Sequence, residues 1–318
     1  MRILVTGATG FAGAHLLDVL RERAEGAEVF GTSHPSARVS PVFRDDRVTM
    51  MVCDITDRAA VERCVKESMP DVVYHNAAFV SVARSFDDPA RAFDTNVTGT
   101  VHLLEAVRRH RPDAKVLIPG SAESYGRVDP RDMPIKESQP LRARNPYGLS
   151  KVSQEMLGAY YHEVFGLKVY LPRAFHYTGP GQPTGFVCSD FARQVAMVEA
   201  GKAEPVISVG NLAARRDFSD IRDVVSAYWH IAEEGRPGVL YNVCRGESVA
   251  ISEILDTLVG MSTTRISVQV DPAKLRPADV PDFVGDGSRL RAETKWKPRF
   301  ALKESLKDVL AFWRAGIR

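Results

Sequence analysis

Tyr147 and Lys151 stand four residues apart in the stretch Asn145-Pro-Tyr-Gly-Leu-Ser-Lys. On a helix that spacing puts both side chains on one face. Pro146 suits a first helical position, because its missing N–H would be unbonded there anyway. Val152, Met156, Leu157 and Tyr160 then recur with helical spacing. A free phenol ionises near pH ~10, and a nearby ammonium favours the phenolate. The pair can then pass a proton to or from a substrate oxygen near neutral pH. By itself the same spacing describes a surface tyrosine and a solvated lysine, so the elements around it have to decide.

Those elements begin at residue 2. Arg2–Thr6 is a short apolar run, Gly7-Ala-Thr-Gly10-Phe-Ala-Gly13 follows, and His15 to Arg23 has helical periodicity through Leu16, Leu17 and Leu20. Strand, glycine turn and helix in that order form a dinucleotide fingerprint, here spaced G-x-x-G-x-x-G. Glycines allow the tight turn and bring backbone N–H groups onto a pyrophosphate at the positive end of the helix. Ala27 to Thr32 is the expected second strand. NAD-selective sites place an acid at about its end, whereas this chain has Ser33, His34, Ser36 and Arg38. Those groups suit a 2′-phosphate, so NADPH is favoured, with NADH as the alternative.

Val48 to Val52 is a third strand, and Asp54 after it suits either an adenine amino group or the cap of a helix starting near Asp57. Asp71 to His75 is the next strand, ending in Asn76-Ala77-Ala78, whose small residues leave room for a ligand. One helix is expected over Pro89–Arg109, carrying Asn96. The strand Lys115 to Pro119 leads into Gly120-Ser121-Ala122-Glu123-Ser124-Tyr125-Gly126. Ser121 therefore falls at a strand's carboxyl end, where open α/β sheets bind ligands, and its hydroxyl can share a proton with a substrate oxygen held against Tyr147. The alternation of strands and helices from 2 to 119 predicts an α/β fold, a Rossmann-like doubly wound parallel sheet.

Bulk composition bounds the alternatives. The chain has 318 residues, 44% of them hydrophobic and 26% charged, with a formal charge of +2. That describes an ordinary globular protein with no nucleic-acid or membrane signature. The four cysteines lie far apart with no C-x-x-C, so neither a zinc site nor a disulfide framework is indicated. The chain opens on a strand-like run and holds no apolar run of about 18 residues, from which we expect no signal peptide and a cytoplasmic location.

Gly7-x-x-Gly10-x-x-Gly13, Ser121 and Tyr147-x-x-x-Lys151 together resemble the extended short-chain dehydrogenase/reductase family, in its nucleotide-sugar branch. The resemblance runs over nearly the whole chain. His176-Tyr-Thr-Gly-Pro-Gly-Gln182 resembles the family's Asn-x-x-Gly-Pro-x-Gln loop, Arg216-Asp217-Phe218 its Arg-Asp-Phe/Trp element, and Trp296-Lys-Pro298 its C-terminal turn. Gly185-Phe186-Val187, Val209-Gly210-Asn211-Leu212 and Leu275-Arg276-Pro277-Ala-Asp279-Val280 are most similar to GDP-mannose 4,6-dehydratases, and still more to GDP-4-keto-6-deoxy-D-mannose reductases.

That resemblance implies roles. Tyr147 is the acid/base; Lys151 holds the nicotinamide ribose and lowers the Tyr pKa; Ser121 hydrogen-bonds the sugar C4 oxygen. Gly7, Thr9, Gly10, Phe11, Ala12 and Gly13 cradle the cofactor. Ser33, His34, Arg38, Asp54 and Ile55 surround its adenosine end, and Ala77, Ala78 and Asn96 its middle. His176, Phe186, Val187 and Val209 line the substrate. Arg216 and Arg276 contact the nucleotide diphosphate or its ribose, and Asp279 binds ribose hydroxyls. Dehydratases of the branch carry Thr-Asp-Glu or Thr-Ser-Glu where this chain has Ser121-Ala122-Glu123. Ala122 can serve as neither acid nor base, while Glu123 remains where a dehydratase base stands.

The expected organisation is a dinucleotide-binding unit of 1–174 plus about 216–244, and a smaller nucleotide-sugar-binding unit of about 175–215 plus 245–318. The expected activity is NADPH-dependent reduction of the C4 ketone of GDP-4-keto-6-deoxy-D-mannose to GDP-D-rhamnose. The alternatives are a 4,6-dehydratase or 4-epimerase that recycles its cofactor, and a non-enzymatic cofactor sensor on the same fold. A homodimer through a helix pair is expected, with no metal.

Overall fold

The apolar run Arg2–Thr6 forms the strand at the centre of the molecule. The computed structural model describes residues 1–44, 47–274 and 281–317. In chain order the strands are β1 (Arg2–Thr6), β2 (Glu28–Ser33), β3 (Val48–Val52), β4 (Val72–His75), β5 (Lys115–Leu117), β6 (Gly120–Ser121), β7 (Lys168–Ala174), β8 (His176–Thr178), β9 (Val206–Val209), β10 (Arg215–Asp220), β11 (Leu240–Val243), β12 (Ser248–Ala250) and β13 (Ser267–Val270). The main sheet runs β11-β7-β5-β4-β1-β2-β3, with β6 also paired to β7. All its pairs are parallel. Strand order reverses between β1 and β4, and the crevice at their carboxyl ends is where such sheets take ligands.

The helices are α1 (Phe11–Arg23), α2 (Arg58–Ser68), α3 (Val82–Asp87), α4 (Pro89–Phe93), α5 (Gly99–His110), α6 (Pro146–Phe165), α7 (Val187–Glu199), α8 (Ile221–Glu234), α9 (Ile251–Gly260), α10 (Ser288–Glu293) and α11 (Leu302–Ile317). Successive strand residues face opposite sides, and both sides are covered. Ile3, Val5 and Tyr74 join the core under α1 and α8, with Leu16, Leu20, Val224 and Ile231. Leu4, Val73 and Val116 join the core under α2, α5 and α6, with Val61, Val65, Leu104 and Tyr161. A separate core unites α7, α9 and α11 with β9 and β10, through Phe191, Ile207, Phe218, Leu255 and Leu310. Two small sheets, β12-β10-β8 and β13-β9, complete this smaller region.

Three expected elements differ. The helix over Pro89–Arg109 is broken: α4 and α5 are joined by a π-helical turn, Asp94–Thr98. Asn96 within it turns its amide onto the backbone of Phe79, accepting from Phe79 N–H at 2.8 Å and donating to Phe79 O at 3.1 Å. The strand expected over Lys115–Pro119 pairs only as far as Leu117 and resumes at Gly120, because Pro119 has no N–H for the ladder. The sequence pattern also predicts a helix over Phe191 to Ala200; the helix that forms, α7, begins four residues earlier, at Val187.

Candidate functional site

The glycine turn joins the end of β1 to α1. Gly7 adopts a φ of +64°, and a Cβ there would meet Ala77 N at 2.7 Å, so the turn lies directly against the end of β4. A Cβ on Gly13 would sit 2.3 Å from Gly7 O. Gly10 caps α1 with no side-chain hydrogen bond, leaving first-turn amides of α1 for an anion. Phe11 and Ala12 open the helix, and Phe11 stacks on Tyr177 with ring centroids 6.2 Å apart. This cradle, closed by any added methyl, fits the pyrophosphate of a dinucleotide.

At the ends of β2 and β3, Thr9 Oγ1 donates to Ser33 Oγ at 3.1 Å. His34 Nδ1 accepts from Ser36 N–H at 3.1 Å, and its Nε2 lies 3.3 Å from Asp54 Oδ2. Arg38 is exposed in the loop between β2 and β3. Asp54 does not cap α2; Asp57 does. Asp54 Oδ1 instead accepts from Thr56 N–H at 2.9 Å. Ile55 is buried, and Ala77 and Ala78 leave β4 half-buried. Asn96 is fully buried, its Nδ2 also donating to Ser150 Oγ at 2.9 Å. Its side chain thereby ties α6 to the Phe79 segment.

Ser121, Tyr147 and Lys151 meet where β6 abuts the start of α6. Asn145 caps that helix, accepting from Gly148 N–H at 2.7 Å and donating to Glu123 Oε2 at 2.9 Å. Gly148 permits the close approach: a Cβ there would lie 2.8 Å from Glu123 O. Ser121 Oγ accepts from Glu123 N–H at 3.2 Å, and Tyr147 stands beside Ser121 at the start of α6. Lys151 is buried, and burial pushes its ammonium down to about 7. Its Nζ donates to Pro119 O at 3.0 Å and Gln154 Oε1 at 2.6 Å. The Tyr147 phenol is pushed above its ordinary value, first by burial and then by Tyr177 and Glu123, against the opposing influence of the nearby Ser121 hydroxyl. The lysine is turned to the Pro119 and Gln154 oxygens.

On the substrate side, His176 Nε2 lies 3.9 Å from Glu123 Oε1, with the ring against Phe218. Burial and the nearby Arg216 charge hold the imidazole down to about 3. Arg216 Nη1 donates to Arg215 O at 2.7 Å. Phe186 and Val187 form the start of α7. Val209 does not present a side chain: it is fully buried in the small core, and its carbonyl accepts from Asp271 N–H at 2.8 Å. Arg276 and Asp279 lie outside the described residues.

Several contributors escape sequence reasoning. The buried Tyr228 and the half-buried Tyr177 lie near Tyr147. Arg173 Nε donates to Glu155 Oε2 at 2.9 Å beneath the site, and the guanidinium lies 4.4 Å from the Tyr125 ring centroid. His75, Thr100 and Gln154 are hydrogen-bonded side chains leading to Lys151. No short motif contains these residues; only the polar type of His75 within an apolar strand hints at one.

Comparison with known proteins follows the same lines. A family model described as GDP-mannose 4,6 dehydratase matches residues 4–309. A GDP-6-deoxy-D-mannose reductase of Pseudomonas aeruginosa is 32% identical over 317 residues, covering 100% of this chain and 98% of the relative. GDP-mannose 4,6 dehydratase 2 of Arabidopsis thaliana is 30% identical, over 96% of this chain and 85% of its own. The solved structure of RMD from Pseudomonas aeruginosa complexed with NADPH superposes with a TM-score of 0.85 at 30% identity, over 99% of this chain and 100% of that one. With its parallel sheet, glycine turn and Tyr-x-x-x-Lys helix, this chain belongs to the GDP-mannose 4,6-dehydratase family of short-chain dehydrogenase/reductase-type enzymes.

Proposed function

We propose that the chain reduces the C4 ketone of GDP-4-keto-6-deoxy-D-mannose to GDP-D-rhamnose, using NADPH. One observation carries the reading: Ser121, Tyr147 and Lys151 are brought together where β6 meets the start of α6, and Ala122, the residue after Ser121, is a buried alanine. Reduction needs a proton donor at the ketone oxygen, and a phenol, ionising near pH ~10, holds that proton at neutral pH. Ser121 donates to the same oxygen, and the positive Lys151 stabilises the charge that develops there. Gly7, Gly10 and Gly13 hold the dinucleotide's pyrophosphate, and Ser33, His34 and Arg38 its 2′-phosphate. When bound, the cofactor supplies hydride to the ketone carbon. Arg216 and His176 stand toward the nucleotide-sugar end, with Arg276 and Asp279 assigned there from sequence alone. The reductase name and bound NADPH of the two Pseudomonas proteins support this choice.

The retained Glu123 favours a second reading, a 4,6-dehydratase with recycled cofactor, the activity named for the Arabidopsis relative. The two are separated by one pair of assays. Purified protein with the 4-keto sugar nucleotide and NADPH is expected to lose absorbance stoichiometrically with product. Turnover of GDP-mannose without added reductant, and no oxidation of NADPH or NADH by the ketone, would overturn the reductase.

The two-unit division from sequence belongs to this proposal. The separate α7–α9–α11 core supports it, although Trp296 of the second unit is buried in the first unit's core. The proposal also includes a cytoplasmic homodimer. Leu149, Met156, Tyr160 and Val164 form an exposed apolar stripe on α6, a surface suited to a second copy of the same helix. All four cysteines are free, which suits a reducing compartment. No helix of the described residues is long and apolar enough to cross a membrane.

A further inference from the structure

Lys151 has three ammonium hydrogens, and two are committed inside the protein. The first goes to Pro119 O, a carbonyl left free because the strand pairing lapses at this proline. The second goes to Gln154 Oε1, so its value depends on which way the Gln154 amide faces. Gln154 Nε2 donates to Thr100 Oγ1 at 2.7 Å; the reverse amide would set NH2 against the ammonium. Thr100 Oγ1 donates its one hydrogen to Asn96 O at 2.7 Å. Its oxygen can then only accept from its other neighbours. His75 Nε2, 3.0 Å away, must therefore carry a proton and donate to it. His75 Nδ1, 2.8 Å from Thr6 Oγ1, is left as an acceptor of the Thr6 hydroxyl hydrogen. Thr6 Oγ1 itself accepts from Ala77 N–H at 3.1 Å. Every hydrogen from Ala77 to Lys151 has one direction.

We propose that Gln154, Thr100 and His75 are positioning residues that act through this chain, fixing the Lys151 ammonium relative to the ends of β1 and β4 that flank the glycine turn. The catalytic meaning of the chain rests on the reductase reading above, but the chain itself is testable without turnover. Thr6, His75, Thr100 and Gln154 are all buried, with relative exposures of 2%, 1%, 0% and 1%, so water cannot substitute for a missing link. Burial and the Lys151 charge hold His75 down to about 3, which keeps it the neutral Nε2–H form. The titratable groups around Lys151 are His75 and, one turn back on its own helix, Tyr147; Glu155 is paired with Arg173 of β7.

The test is a nitrogen-15 NMR measurement of His75 and a titration of the Lys151 amine in wild-type, Gln154→Leu, Gln154→Glu, Thr100→Ser and Thr100→Val proteins. Wild-type His75 should be protonated on Nε2, unprotonated on Nδ1, and unchanged from pH 5 to 8 (~3 units spanning an ordinary histidine titration). The Lys151 midpoint should fall by roughly one pH unit in Gln154→Leu and rise by at least as much in Gln154→Glu. Thr100→Ser should keep the wild-type midpoint, and Thr100→Val should move toward Gln154→Leu. A proton on Nδ1, a His75 titration near pH ~6.5, or a Lys151 midpoint indifferent to both Gln154 variants would overturn the proposal. The tautomer measurement needs no variant, so a misfolded mutant does not rescue it. If wild-type protein leaves the ketone unreduced while these titrations come out as stated, the reductase reading falls and the positioning chain stands.

Discussion

Lys151→Met should make the protein inactive and, at pH 6, more stable. Burial lowers the lysine from 10.5 to about 7, and each pH unit of that drop corresponds to about 1.4 kcal/mol. The buried charge therefore costs the folded state roughly 5 kcal/mol below pH 7. Methionine removes the charge but leaves Pro119 O and Gln154 Oε1 without their donor, at about 1–3 kcal/mol for each buried acceptor. The net gain at pH 6 is on the order of 1–2 kcal/mol. The sign of the pH dependence follows from proton counts. Between pH 7 and 10.5 the unfolded lysine holds a proton that the folded one lacks, so wild-type stability gains with rising pH at about 1.4 kcal/mol per unit. The variant lacks this group, so its advantage should shrink above pH 7 and reverse before pH 10, once the orphaned acceptors outweigh the vanished charge penalty. Urea denaturation of both proteins without cofactor, at pH 6, 8 and 9.5, measures the difference, and all other titrating groups cancel. A stability difference that is constant across that range, or that favours wild type more strongly at pH 6 than at 9.5, would refute the claim that Lys151 is a desolvated ammonium.

Tyr147→Phe keeps the ring near Tyr177 and Tyr228 but removes the proton donor; turnover should fall by roughly 10²–10⁴ while NADPH affinity, read by fluorescence titration, stays within a few-fold. Gly13→Ala drives a methyl to 2.3 Å from Gly7 O, so dinucleotide binding should be lost in the same titration and stability should drop by about 1–3 kcal/mol. Met156→Glu places a charge in the exposed α6 stripe, where Met156 is 64% exposed. Light scattering should then report a monomer from a dimeric wild type, with the unfolding midpoint of the monomer changed little because the side chain touches no core.

What the sequence makes legible is what local chemistry specifies. The glycine turn is readable because Gly7 and Gly13 answer steric demands within one turn, and β1 because a short apolar run ahead of that turn suits a strand buried on both faces. The stretch Asn145–Lys151 is readable because a cap, a proline and an i, i+4 pair fall within seven residues. The features that escape are those made by pairs far apart in the chain. The π-turn at Asp94–Thr98 depends on Asn96 finding Phe79 and Ser150, and the Lys151 chain joins residues from β1, β4, α5 and α6. No window holds both partners, so each residue read alone is an ordinary helix or strand position. The pKa of Tyr147 escapes for a related reason: the burial that raises it comes from elements distant in sequence.

Ser121 and Ala122 illustrate how far this matters for function. As neighbours in one motif they read as two site residues, one kept and one lost. In the fold they part: Ser121 stands beside Tyr147, while Ala122, 2% exposed, packs with Tyr125, Phe175 and Phe283. An acid placed at 122 would enter that aromatic cluster, where desolvation would hold it neutral and crowd it against the Phe175 ring. Under the proposed reductase reading, packing as well as residue type would then bar the elimination of water. Ala122→Asp is accordingly expected to add no GDP-mannose turnover, because the apolar floor built by Tyr125, Phe175 and Phe283 would have to change with it.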